Sequence, residues 1–326
     1  MRMLKRFAAV VLVLAAIAAA FAGCGGTESM EIRVGGMKGP TTIGMVKLLS
    51  DSDAGEGNVS CEFTLAGTAD ELTPKLVKGE LDIAAVPANL ASVLWNKTGG
   101  DIVLLAVNTL GVLYIVDTGD TGDTVQNVAD LKGRTIYATG KGSTPEYTLR
   151  YVLEKNGIDP DSDVTIEWKN EASEIVALLA VGGGIAMLPQ PYVASAQSKI
   201  DGLRIALDMT AEWDALDTES KLVTGVLVGR REFVENNPEA VSAFLEAYEK
   251  SISYSKENVS EAAALVAEYG IVGAEIAEKA IPYCNLMYMD GGEMKTAVSG
   301  YLEVLYDSNA ASVGGALPDD GFYYER

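Results

Sequence analysis

The chain contains no histidine. That removes the side chain most used as a general base near neutral pH and the commonest transition-metal ligand. Cysteine is scarce as well. Only Cys24, Cys61 and Cys284 occur, and no two of them form a Cys-x-x-Cys pair. Basic residues are few: 25 Lys and Arg stand against 46 Asp and Glu, for a net charge of −21. Nucleic acid and anionic membrane surfaces are both recognised through basic patches, so neither is expected as a partner. No Gly-x-x-x-x-Gly-Lys loop is present, which leaves nucleotide hydrolysis without its usual phosphate cradle. Neither a metal nor a cofactor is expected.

The long apolar run that the sequence does have lies at its start. Arg2, Lys5 and Arg6 precede an apolar stretch from Phe7 to Ala22, and small residues lead to Cys24. This is the layout of a secretory signal peptide, and the run is short for a membrane span, which needs about 20 residues. Phe21-Ala22-Gly23-Cys24 resembles a bacterial lipobox, which implies cleavage before Cys24 and lipid on that residue. The expectation is a signal over 1–23, a tether over 24–29, and an extracytoplasmic protein held to the cell membrane by its N-terminal lipid. Removing 1–23 takes away three positive charges and no acid, so the balance moves from −21 to −24. Cys61 and Cys284 are far apart in sequence, and whether they meet is left open.

From Glu31 onward, short β-type runs alternate with amphipathic helical runs, the pattern of an α/β fold with mostly parallel sheets. Strands are expected at 31–35, 60–65, 83–86, 102–107, 112–116, 135–138, 164–168, 185–188 and 222–228. The chain after 230 reads as helical throughout. Asn237 stands as a cap, Pro238 at the first helical position, and Val241, Phe244, Leu245 and Tyr248 share one face.

One unit occurs twice. Lys38-Gly39-Pro40-Thr41 closes a strand and opens a helix, and Lys141-Gly142-Ser143-Thr144 does the same 103 residues later. Ile83-Ala84-Ala85-Val86-Pro87 is matched by Ile185-Ala186-Met187-Leu188-Pro189 at an offset of 102. Two matches at nearly equal offset predict two lobes on one plan. Each lobe is then a mostly parallel sheet flanked by helices, joined by a two-strand hinge into a clamshell. Lobe one is expected at 30–112 plus 227–326, and lobe two at 113–226.

Ligands of open α/β sheets bind outside the carboxyl ends of the strands. The candidate binding residues in lobe one are therefore Met37, Lys38, Gly39, Thr41, Thr42, Gly67, Thr68, Pro87, Asn89 and Asn108. In lobe two they are Gly140, Lys141, Ser143, Thr144, Gln190 and Tyr192. Threonine and serine hydroxyls, together with free N–H groups at helix starts, suit a polar or anionic solute. Lys38 and Lys141 would face the cleft from opposite sides.

Arg33-Val34-Gly35-Gly36, Lys78-Gly79-Glu80-Leu81-Asp82-Ile83-Ala84, Asp130-Leu131-Lys132-Gly133-Arg134, Leu188-Pro189-Gln190-Pro191-Tyr192 and Asn237-Pro238-Glu239 together carry a resemblance. The chain resembles the type II periplasmic-binding proteins of ABC importers, in the branch that takes up nitrate, alkanesulfonates, taurine and thiamine precursors. The resemblance covers everything after the tether. It implies a monomeric, non-catalytic receptor that closes on a small-molecule solute and delivers it to permease and ATPase subunits outside this chain. The family commonly has an acidic residue where this chain has Gln190, and an Asp where it has Gly184. Two rivals stand beside this reading. One is an enzyme on the same fold, of the pyrimidine-synthase type, which would rely on histidine. The other is a clamshell sensor or adhesin ectodomain with no transporter.

Overall fold

The computed structural model describes residues 30–119, 125–216 and 220–326. The signal, the lipobox Cys24 and the tether lie outside the described residues. Eleven strands are found among the described residues: β1 Glu31–Met37, β2 Ser60–Ala66, β3 Ile83–Pro87, β4 Ile102–Leu110, β5 Leu113–Asp117, β6 Thr135–Thr139, β7 Thr165–Lys169, β8 Ile185–Pro189, β9 Arg204–Asp208, β10 Val223–Arg230 and β11 Leu286–Met289. They form two sheets. The first runs β11-β4-β10-β3-β1-β2 and the second β7-β6-β8-β5-β9.

The doubled sequence unit is a doubled topology. β1 pairs parallel with β2 and β3, and β6 pairs parallel with β7 and β8. Each trio is then joined by a strand from beyond a crossing. β10 lies antiparallel to β3, and β5 lies antiparallel to β8. The chain thus leaves the first sheet after β4, builds the second with β5–β9, and returns as β10. All of β3 is buried, as suits a central strand covered by helices on both faces. The expected lobe boundary between 226 and 227 falls inside β10, whose eight residues all belong to the first sheet.

Two strands had no clear sequence signal. β9 buries only Leu207 and leaves Ile205 exposed and the other three residues half-buried, so the alternating burial that marks a half-buried strand is missing. β11 is four residues of Leu, Met and Tyr in a region that otherwise reads as helix. It becomes a strand only by pairing with β4. The helical expectation holds around it: helix Pro238–Glu257 buries Val241, Phe244, Leu245 and Tyr248 on one face, and helix Gly291–Ser308 follows β11.

Apolar clusters cover both faces of each sheet. Two buried carboxylates tie the sheets to their flanks. Asp82, at the entry to β3, accepts from the Arg33 backbone N–H at 3.1 Å and from its guanidinium at 2.5 and 2.9 Å. Arg230 adds a bond at 3.3 Å. Burial by itself raises the Asp82 pKa, but the bonds from Arg33 and Arg230 outweigh it and hold the carboxyl below its ordinary value. In the second sheet, Asp117 accepts from the N–H groups of Gly119 and Val125 and from Arg204. Cys61 and Cys284 are buried free thiols, each raised by burial, Cys61 to about 12. No helix among the described residues is long and apolar enough to cross a membrane.

Candidate binding cleft

The turns that follow the parallel strands of the two sheets face each other across a cavity of about 600 Å³. β1 contributes Met37–Thr41, β2 contributes Gly67–Asp70 and β3 contributes Pro87. From the other side come Thr139–Ser143 after β6, Lys169–Ala172 after β7, and Pro189 with Tyr192 after β8. Val112 and Leu113 at the crossing and Thr224 of β10 complete this part of the lining. Such a volume suits a small organic molecule.

Most of the expected site residues meet here. Met37, Lys38, Gly39, Thr41, Gly67, Thr68, Pro87, Gly140, Lys141, Ser143 and Tyr192 all line the cavity. Gly140 has a φ of +80°, and a Cβ there would stand 2.8 Å from Pro145, so this turn requires glycine on both counts. The Tyr192 hydroxyl lies 3.5 Å from the Lys38 carbonyl of the opposite lobe. Burial raises the Tyr192 phenol above its ordinary pKa, and the charge of Glu171 adds to the rise.

Five expected residues do not line the cavity. Asn89 and Thr144 are fully buried and hold the lobes to each other: the Thr144 hydroxyl donates to the Asn89 side-chain Oδ1 at 3.2 Å, and the Asn89 side-chain amide donates to the Ser312 backbone carbonyl at 2.9 Å. Thr42 is packed under β1, where a Cβ on Gly36 would stand 2.4 Å from its Oγ1. Asn108 supports the Thr41 turn from behind, with its amide 3.5 Å from the Thr41 carbonyl. Gln190 points elsewhere. Its amide oxygen accepts from the Ala194 N–H at 3.3 Å, and it lines a separate cavity with Tyr114, Ser198 and Tyr283. The free N–H groups expected at the lobe-two turn are partly occupied too, because Glu146 folds back to accept from Gly142 N–H at 2.6 Å.

The cavity is cationic although the chain is strongly acidic. Lys38, Lys97, Lys141 and Lys169 line it against Asp70 and Glu171. Lys38 and Lys141 are exposed, and neither ammonium has a side-chain partner among the described residues. Two hydroxyls are conspicuous for the opposite reason. Thr41 is 4% and Thr224 8% exposed, and the Oγ1 of each is buried with no hydrogen-bond partner among the described residues. A buried hydroxyl seldom stays unpaired without a reason. Both residues line the same cavity. Thr224 had no local signal in the sequence. It sits mid-run in an apolar strand and reaches the cleft only because β10 returns beside β3. No group of three or more metal-ligating side chains occurs among the described residues.

Two mixed sheets flanked by helices, meeting at the carboxyl ends of their parallel strands, are the architecture of the two-lobed solute-binding proteins of ABC importers. That class holds its ligand rather than transforming it. A sequence profile of the NMT1-like family matches residues 62–269, and the chain belongs to that family. An ABC transporter protein from Parabacteroides distasonis shares the fold with a TM-score of 0.74 at 27% identity, covering 90% of this chain and 99% of that one. The alkanesulfonate-binding protein SsuA from Xanthomonas axonopodis pv. citri, bound to MOPS, matches with a TM-score of 0.67 at 16% identity over 89% and 94% of the two chains. A Brucella abortus protein described as a binding protein is 23% identical over 176 residues, 54% of this chain and 52% of that protein. The chain therefore spans about half the length of the Brucella relatives it matches.

Proposed function

We propose that this protein is the extracytoplasmic solute receptor of an ABC importer, held to the membrane through lipid on Cys24, and that its solute is a small polar or anionic organic molecule. Alkanesulfonates, nitrate, taurine and thiamine-precursor-like compounds are the classes to test. The observation that carries this reading is the cleft itself: one cavity lined from both sheets, with Lys38 and Lys141 at its exposed edge and two buried hydroxyls in its wall, all four without side-chain partners among the described residues. A solute carrying an oxyanion supplies acceptors to Thr41, Thr224, Lys38 and Lys141 together. Because it touches both lobes, it binds the closed arrangement better than the open one and shifts the population toward it. Closure is then the signal read by the permease.

A thermal-shift screen of the purified protein against these solute classes tests the reading. A ligand at 100 times its dissociation constant stabilises the fold by about 2.7 kcal/mol. A hit that is weakened in both Lys38→Ala and Lys141→Ala supports the oxyanion reading. Unchanged affinity in both variants removes the lysines from it. A folded protein that no oxyanion stabilises is left with the sensor or adhesin reading.

A further inference from the structure

A second cavity, of about 650 Å³, lies between the lobes on the far side of a wall that also bounds the cleft. Two chain segments make that wall, and neighbouring residues in each face its two sides. Leu113 lines the cleft and Tyr114 the second cavity; Pro189 lines the cleft and Gln190 the second cavity. The segments are joined to each other, with Leu113 opposite Pro189 in the β5–β8 ladder and the Gln190 N–H donating to the Val112 carbonyl at 3.2 Å. Lobe two also contributes Ala194 and Ile205, and lobe one contributes Lys279, Pro282 and Tyr283. The Tyr114 hydroxyl donates to the Tyr283 carbonyl at 3.3 Å, which ties the lobes together beside the cavity. None of these lining residues belongs to the cleft.

Gln190 is only 2% exposed, and its one side-chain bond uses Oε1, which accepts from the Ala194 N–H at 3.3 Å. Its Nε2 donors have no partner among the described residues, and the side chain lines this cavity. A donor buried in this way calls for an acceptor. The charges at the rim are already answered: Glu275 holds the Lys279 ammonium at 2.9 Å, and the Glu278 carboxylate accepts from the Ser260 hydroxyl. No unpaired counter-charge is left for an ion, and an ion buried without one costs far more than a neutral polar group. Tyr114, Ile205 and Pro282 give the cavity apolar walls. We propose that it is a second ligand site, which takes a small neutral molecule with a carboxamide for Gln190 and an apolar ring for those walls. A primary amide complements Gln190 twice: its oxygen accepts from Nε2, and its nitrogen donates to the second lone pair of Oε1. Because the occupant touches both lobes, it favours the arrangement of the lobes in which it fits. The site stands apart from the solute cleft and does not depend on what the solute is.

The test is an NMR titration of the purified protein with benzamide, benzoate and benzylammonium, which share a ring and differ in charge. Benzamide should bind at least about five-fold tighter than either ion. Gln190→Leu should weaken it by about five-fold, the scale of one neutral hydrogen bond. Because Gln190 is buried, a second variant approaches from an exposed position: Ile205→Trp fills the cavity from β9, leaves Gln190 in place and should weaken benzamide by about ten-fold. Equal or tighter binding of benzoate or benzylammonium overturns the neutral-amide class. Benzamide affinity unchanged in both variants puts the probe elsewhere and overturns the site. No binding of benzamide up to its solubility limit overturns the proposal as a whole. Each of these failures leaves the oxyanion receptor reading standing, since that reading rests on other residues.

Discussion

Replacing Thr224 by valine should have opposite effects on the empty and the loaded protein. The swap is nearly isosteric and removes one hydroxyl from a side chain that is 8% exposed. Without solute that hydroxyl has no partner among the described residues. A buried polar group left unsatisfied costs about 1–3 kcal/mol, so its removal should stabilise the empty protein by about 1 kcal/mol. In a domain of this size that is a rise in melting temperature of about 2 °C. In the loaded protein the same hydroxyl donates to a charged oxygen, a bond worth about 1.5–3 kcal/mol, so affinity should fall by about 10- to 100-fold. Calorimetric melting and titration of the same sample measure both. A variant that melts several degrees lower and binds as before would show that Thr224 serves the strand and not the ligand.

Asp82→Asn should destabilise the protein by about 3 kcal/mol, the scale of removing one partner from a buried ion pair, and chemical denaturation will read it. The folded-state pKa of Asp82 lies below its ordinary 3.8, so its contribution is fully present above about pH 4 and is lost as pH falls through the lower folded value. The wild type should therefore lose stability on acidification through that window, and Asp82→Asn should lose less. Gly111→Ala at the crossing would place a Cβ 1.9 Å from Thr210 Oγ1 and should shift the relation of the lobes, seen as a changed radius of gyration in solution scattering. Asn89→Ala removes the bonds that join Thr144, Gly142 and Ser312, and should favour the open form and weaken solute binding by several-fold in titration.

How much of the site could be read from the chain differs from residue to residue. The Lys38 and Lys141 turns were legible because a strand that ends in glycines and opens a helix has a local signature, and because that signature occurs twice. Asn89 and Thr144 looked like ligand contacts for the same local reason as their neighbours. They differ from them only in what the opposite lobe and the Ala310–Val313 turn bring against them. Gln190 sits in the right turn and faces the wrong cavity, a matter of one side chain's direction.

Alternation of strands and helices, the doubled unit, the absence of histidine and the acidic balance are properties of sequence order and composition. They determine the α/β class, the two-lobe plan and the poverty of catalytic and metal-binding groups. Side-chain periodicity is local, so it survives without coordinates. Pairing across the crossing is not local. That β10 returns to lie between β3 and β4, that β11 is a strand at all, and that Thr224 and Thr41 line one cavity depend on contacts between residues separated by tens to hundreds of positions. Only the packed fold brings those groups to one cleft and leaves Lys38, Lys141 and the Thr41 and Thr224 hydroxyls without side-chain partners among the described residues.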